Sequence, residues 1–376
     1  MKKTKILAFL LAAVMLLTLC ACGAQTSATQ TSAPSRTEAQ KEDYEVTDLL
    51  GRTVTIPTET SSYVCIGPGA LRLYCYVADK TQLAGVEDVE ASWGNDGRSY
   101  AMSFENMADY KVIGPGGPGN APDAELLVSA APDVIFTMYN SDISAVDELQ
   151  NKTGIPIVAL SYGDDTIFNN GIYDSLTLIG KITSHKDRAS EVVNYLKNIQ
   201  SDLQTRTADV TSRPTVYLGA QSSKGAHGIE STTGNYALFN SINADNVVDD
   251  AGISDYVMLD KEKLLDMDPD VIILDAGGLS IVQDDYKSNP DYYNSLSAVK
   301  NGKVYLQMPF NYYYTNIEIA LADAYYIGSV LYAKQFSDVD PTAKFDEISN
   351  QLLGISTYEQ ISSEYYGGYQ QVNLGS

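Results

Sequence analysis

Histidine is almost missing from these 376 residues: His185 and His227 are the two present. A zinc enzyme built on three imidazoles is thereby excluded. Cysteine is scarce too, four in all, and Cys20 and Cys22 fall near the start. Cys65 and Cys75 are too few for a disulfide scaffold. Cys65 falls on an apolar strand pattern and Cys75 on the helical pattern after it, which reads as two buried thiols. Positive charge is short: 25 Lys and Arg against 48 Asp and Glu give a formal net charge of −23, which disfavours a nucleic-acid partner. Gly-x-Ser-x-Gly, His-Glu-x-x-His and the phosphate-loop lysine motif are all lacking, so the common hydrolase, metalloprotease and nucleotide-loop signatures go with them. The glycine-rich run 114–119 has neither the lysine nor the following helix of a nucleotide loop and reads as a rigid turn.

Long apolar runs are also lacking, with one exception. After Lys2, Lys3 and Lys5 the chain is apolar from Ile6 to Leu19, too short to span a bilayer and shaped like an export signal, here 1–21. Leu19, Ala21 and Cys22 resemble the lipobox of bacterial lipoproteins, which implies that Cys22 is acylated and anchors the protein to a membrane. Residues 22–43 are Thr, Ser, Gln and Ala with little to bury, a flexible tether with a reach of roughly 25–30 Å.

About 330 residues follow, enough for two lobes with separate cores. Short β-branched runs alternate with helical patterns, which predicts parallel α/β sheets. Strands are expected near Tyr63–Ile66, Leu83–Val86, Val134–Thr137 and Ile157–Ala159, then near Thr215–Leu218, Val271–Leu274 and Val304–Leu306. An internal echo ties the halves together: Glu125 and Glu262 each stand seven residues before a Pro-Asp-Val-Ile run, at 132–135 and 269–272. Between the halves, Ala189, Val192, Val193, Leu196, Ile199 and Leu203 form a helical stripe without glycine or proline, a rod long enough to join two lobes. The expected organisation is an N-terminal lobe at 44–184, a connecting helix at 185–212, a C-terminal lobe at 213–353 and a tail at 354–376.

The hairpin-like segment 46–57 (VTDLLGRTVTIP), the two Pro-Asp-Val-Ile echoes, the connecting helix and the segment 316–325 (NIEIALADAY) together resemble the iron-siderophore and cobalamin class of ABC transporter substrate-binding proteins. The resemblance covers about residues 44–353. It implies an α/β fold of two lobes, each a small parallel sheet flanked by helices, joined by one long α-helix, with the ligand between them. It also implies that Glu125 and Glu262, one per lobe, dock onto arginines of a two-fold permease dimer served by an ATPase. The residues themselves support such a clamp, and both glutamates also suit a helix N-terminus. The chain departs from the family's usual pattern at 67–72 (GPGALR), where Arg72 stands in place of a glutamate. A basic group there favours an anionic chelate.

Ligands of open α/β sheets sit beyond the carboxyl ends of strands. Applied here, that rule points to Gly67, Pro68 and Gly69, to Tyr139, to Tyr162, to His227 and to Tyr312, Tyr313 and Tyr314, with Trp93 as the lone indole. Glycines let a ligand reach backbone amides at a helix start. Aromatic walls suit a flat macrocycle or aryl siderophore, and phenolates or His227 are possible iron ligands. The expected function is capture of an iron complex, a siderophore or haem-type chelate, by a monomer with no cofactor of its own and no catalysis. Cobalamin is the next cargo. A metal ion or an oxyanion such as molybdate, held by Arg72, Arg98 and His227, is a rival. A cell-surface hydrolase or lyase, or an adhesin on a borrowed fold, are rivals from other classes.

Overall fold

Residues 42–117, 119–139, 142–164 and 167–375 are described by the computed structural model. The export signal, Cys22 and the tether as far as residue 41 lie outside them. Tyr44–Thr47 (β1) and Thr53–Ile56 (β2) form an antiparallel ribbon at the expected opening hairpin. Tyr63–Ile66 (β3), Val134–Thr137 (β4) and Ile157–Ala159 (β5) then make a parallel sheet in the order β3-β4-β5. Every residue of these three strands is buried, as a sheet covered by helices on both faces requires. The strand expected at Leu83–Val86 is reduced to isolated parallel bridges, Tyr63 to Leu83 and Val86 to Val112. Gly85 explains the interruption: a Cβ there would lie 2.4 Å from the Lys111 carbonyl, so two backbones meet too closely for a regular ladder.

The second lobe repeats the plan on a wider sheet. Its strands are Thr215–Gly219 (β6), Ser231–Thr233 (β7), Asp245–Asn246 (β8), Tyr256–Met258 (β9), Val271–Asp275 (β10), Val304–Gln307 (β11) and Gln370–Gln371 (β12). Five of them lie in the order β12-β11-β10-β6-β8, all parallel except β12, while β7 and β9 pair in a separate antiparallel ribbon. Residues 354–376, read from sequence as a tail, supply a helix at Tyr358–Glu364 and the edge strand β12. Tyr369 stacks on Tyr326 at 4.1 Å between centroids and donates to Asp323 at 2.8 Å, which ties this end into the lobe.

The internal echo has a physical basis in both copies. The helices Ala124–Ala130 and Lys261–Met267 are capped by Asp123 and Asp260, whose carboxylates accept from the amides of Glu125 and Glu262. Each helix ends on a left-handed residue, Ala131 at φ 51° or Asp268 at φ 39°, just before its proline. The aspartate after the proline then pins the neighbouring strand. Asp133 accepts from Ser61 N (2.7 Å) and Ser62 N (3.0 Å) ahead of β3, and Asp270 accepts from Thr215 N (3.0 Å) at β6.

The connecting helix spans Lys186–Thr207, 22 residues, or about 33 Å at 1.5 Å each. It buries Ala189, Val192, Val193, Leu196, Ile199 and Leu203, the stripe expected from sequence. The lobes share more than this rod, because one apolar cluster runs from Val46 through the connecting helix to Ile361. Helix Ile317–Leu331 of the second lobe, buried throughout from Ile317 to Gly328, packs on Pro341–Leu353, which also touches Ala70–Val77 of the first. Among the described residues no helix is long and apolar enough to cross a membrane. Leu196 is fully buried, so Leu196→Ala is expected to lower the unfolding free energy by about 2–5 kcal/mol. Urea denaturation measures this, and a loss below about 1 kcal/mol would mean that the stripe is not core.

Candidate functional site

Strand ends of the first lobe deliver a group of polar backbone and one buried carboxyl. Gly67 follows β3 with φ 89°, and its amide donates to Glu87 Oε2 at 3.0 Å. Glu87 itself follows Val86, the end of the bridged segment, and is buried. Gly117, in the glycine-rich run, has φ 86° and turns its amide toward the same place. Tyr139, after β4, donates to the Gly117 carbonyl at 3.3 Å.

From the second lobe comes the loop after β11, pinched by an antiparallel bridge between Asn311 and Thr315. Tyr313 and Tyr314 both adopt left-handed backbone, φ 48° and 76°. For non-glycine residues this costs roughly 1–2 kcal/mol each. The strain is offset by what the side chains reach in the other lobe. Tyr313 donates to Glu87 Oε2 at 2.9 Å and accepts from the Gly117 amide at 3.0 Å. Its ring lies edge-on to Trp93 at 5.4 Å, with Tyr312 beside the same indole at 6.1 Å. Tyr314 meets Tyr162 at 4.5 Å. Six of the expected aromatics are thus gathered from both lobes on one network with Glu87: Trp93, Tyr139, Tyr162, Tyr312, Tyr313 and Tyr314. Trp93 and Tyr314 remain about two-fifths exposed, at 41% and 43%, so the network reaches solvent.

Beneath these rings the lobes are joined by a buried polar seam. Arg72 donates from Nε to Asn316 Oδ1 (3.0 Å), and from its terminal nitrogens to the carbonyls of Tyr312 (2.8 Å) and Tyr313 (3.3 Å) and to the Tyr162 hydroxyl (3.3 Å). Its guanidinium also covers the face of Tyr100 at 4.6 Å. In the reverse direction, Glu318 of the second lobe accepts from Tyr76 and Ser99 of the first. Arg98 pairs with Glu90 at 2.6 Å, and Asn316 Nδ2 donates to the Gly97 carbonyl at 3.1 Å.

Four sequence expectations change in this light. Arg72 was expected to bring charge to a ligand, yet it is fully buried and its donors are spent across the seam. Arg98, the second cation of an oxyanion site, is buried against Glu90. The glycines were expected to open a path to backbone amides. Instead the chain uses the space itself, since a Cβ on Gly67 would lie 3.0 Å from Tyr139 N and one on Gly69 2.7 Å from the Tyr162 ring; Pro68 stands half-buried between them. His227 is held within its own lobe, Nε2 donating to the Ser223 carbonyl at 2.7 Å, with Tyr256 rather than the Tyr312–Tyr314 run beside it. Sequence reasoning missed Glu87, Gly117, Asn316 and Glu318. Glu87 was within reach, because the strand-end rule applied after Val86 names it.

Burial pushes the Glu87 carboxyl up to about 7, against hydrogen bonds from Gly67, Tyr313 and Tyr139 that favour the anion and a nearby Glu90 that does not. Burial, then the charge of Glu87, raises Tyr313 and Tyr139 far above the usual phenol range. Burial likewise lifts Tyr162 to about 12, although Arg72 opposes it. With no metal beside them, these three phenols therefore stay protonated at neutral pH. Asp275, buried at the end of β10 and accepting from Ser222 N (3.1 Å) and Gly277 N (2.8 Å), is raised to about 6 by burial.

The profile of the periplasmic binding proteins matches residues 76–309, more than half of the sequence. The chain belongs to the periplasmic binding protein family. Membership makes it a binding protein rather than an enzyme. It is 22% identical over 302 residues to the uncharacterized ABC transporter substrate-binding lipoprotein YvrC of Bacillus subtilis, covering 79% of this chain and 87% of that one. With the Fe(3+)-citrate-binding protein YfmC of the same organism it shares 26% identity over 197 residues, 52% of this chain and 59% of the relative. In fold it resembles a periplasmic solute binding protein from Veillonella parvula, with a TM-score of 0.68 at 17% identity over 86% of this chain and 96% of that one.

Two outcomes check the site of this binding protein. Arg72→Leu leaves Asn316, two carbonyls and the charge of Glu318 without their counterpart, and is expected to cost about 3–5 kcal/mol in urea denaturation. Glu87 holds its proton more tightly folded, near 7, than its ordinary 4.5. Its stabilising contribution is therefore complete below about pH 4.5 and lost as pH rises through about 7. Glu87→Gln should shrink the fall in Tm between about pH 5 and about pH 8, a difference read by calorimetry. An unchanged fall would show that another group carries it.

Proposed function

We propose that this chain is the cargo-catching lipoprotein of an ABC importer and that its cargo is an iron complex with flat or aryl groups, a siderophore or haem-type chelate, held between the lobes. The observation that carries this reading is the convergence of Trp93 and Tyr162 from one lobe with Tyr312, Tyr313 and Tyr314 from the other. Such walls bind conjugated surfaces. The hydroxyls of Tyr139, Tyr162 and Tyr313 already donate to the Gly117 carbonyl, the Gly69 carbonyl and Glu87, so in this reading the iron arrives with its own ligands. The Fe(3+)-citrate-binding relative is consistent with a ferric chelate as cargo. An oxyanion reading loses its support, since the seam consumes Arg72 and Arg98.

Acylated Cys22 ties the protein to the outer face of the cell membrane, a reading that the lipoprotein naming of its relatives supports. Docking falls to Glu125 and Glu262. Both are exposed at the starts of matching helices, one per lobe, while the equivalent Leu127 and Leu264 behind them are buried. Two such carboxylates suit charge-assisted pairing with arginines of a dimeric permease.

Titration of the purified protein with ferric catecholates, ferric citrate, haem, cobalamin and molybdate, followed by Trp93 fluorescence and visible absorbance, tests the cargo. A ferric chelate or haem is expected to quench and to co-elute with its colour. Binding of molybdate with no response to any iron complex would overturn the reading. Replacing both Glu125 and Glu262 by alanine is expected to leave cargo affinity within about twofold and to lower uptake by about tenfold or more. Undiminished uptake would remove these residues from docking.

A further inference from the structure

The Glu87 seat in the first lobe is occupied by a side chain of the second, and the chemistry of that contact defines what else fits there. Tyr313 Oη donates to Glu87 Oε2 at 2.9 Å and accepts from the Gly117 amide at 3.0 Å. We propose that Glu87, Gly117 and Gly67 form a subsite for an aryl hydroxyl of the cargo that does not ligate its iron, and that Tyr313 is a built-in surrogate occupying it in this structure. The proposal deepens the reading of the cargo as an aryl iron chelate and rests on it.

The seat asks for a group that donates and accepts at one atom. A cargo carboxylate does not donate and would face Glu87, while an ammonium does not accept. A hydroxyl satisfies both partners, and a phenol-type hydroxyl donates to a carboxylate more strongly than an alkyl one does. The walls select further, because the Trp93 ring stands 5.4 Å from that of Tyr313 and Tyr139 lines the other side.

Tyr313 is suited to being displaced. Its backbone carbonyl and that of Tyr312 are held by Arg72, at 3.3 and 2.8 Å, so the phenol can swing about its side-chain torsions while the loop stays in place. Its left-handed backbone, continued in Tyr314, shows a loop bent to deliver this one hydroxyl. Glu87 is faced by Gly67, Tyr313 and Tyr139, with Glu90 as the nearby charge. A neutral arriving hydroxyl therefore replaces Tyr313 without altering the charge of the site.

Trp93 is the one tryptophan of the sequence and lies against Tyr313, so its fluorescence reports the exchange directly. Metal-free catechol titrated into the wild type, Tyr313→Phe, Tyr313→Leu and Glu87→Gln tests the proposal, each variant first checked for an unchanged circular dichroism spectrum. Removing the competing hydroxyl in Tyr313→Phe is expected to tighten catechol about fivefold or more, and Tyr313→Leu covers a failure of the first variant to fold. At about pH 8, where Glu87 is mostly ionised, Glu87→Gln is expected to weaken catechol about tenfold, because the charge-assisted acceptor is gone. Equal or weaker catechol binding by both Tyr313 variants would overturn the surrogate. Ferric chelates that bind the wild type, Tyr313→Phe and Glu87→Gln alike would overturn the subsite while leaving the cargo reading intact. Catechol shifts as expected with no binding of ferric chelates would instead sink the cargo reading and keep the seat.

Discussion

A guanidinium with no solvent around it holds the two lobes in register. Arg72 reaches from the first helix of one lobe to Asn316 and two carbonyls of the other. With Arg98, Glu90 and Glu318 it forms a sealed set of two positive and two negative side chains. An ion buried in this way is tolerated only while every partner stays in place. Sliding or splaying the lobes would strand charges in an apolar interior, so the seam acts with the connecting helix as a stiff joint. Small motions are left to the tyrosines above it.

Much of the fold was legible in the sequence because it rests on local rules. The Pro-Asp-Val-Ile echoes mark a helix end, a proline turn and a buried strand, and each does the same work at Asp133 and Asp270. The connecting helix could be read from its stripe of six apolar positions. What failed was long-range. Gly85 looks like an ordinary strand residue until Lys111, remote in sequence, is laid against it. Arg72 looks like a ligand for an anion until Asn316 and Tyr312 arrive from the far lobe. The aromatic residues of the site were found because tyrosine after a strand end is a visible signal, whereas Glu87 followed a segment too irregular to be counted.

Raised carboxyls at strand ends, Glu87 near 7 and Asp275 near 6, would suggest proton-transfer chemistry in an unassigned protein. Here both are spent on backbone amides, and the family is one of binders. Burial alone is enough to move them. The perturbation marks where the chain has placed carboxyls out of water against backbone amides, which is a weaker and broader statement than catalysis.

The short strand β12 has a consequence beyond closing a lobe. An uncovered β11 would present a row of unpaired amides and carbonyls, an invitation for a neighbouring copy to add its own strand. Gln370 and Gln371 fill those positions antiparallel, and the opposite border is β8, two residues long. The sheet is thus finished at both borders, and crowded copies have little with which to polymerise.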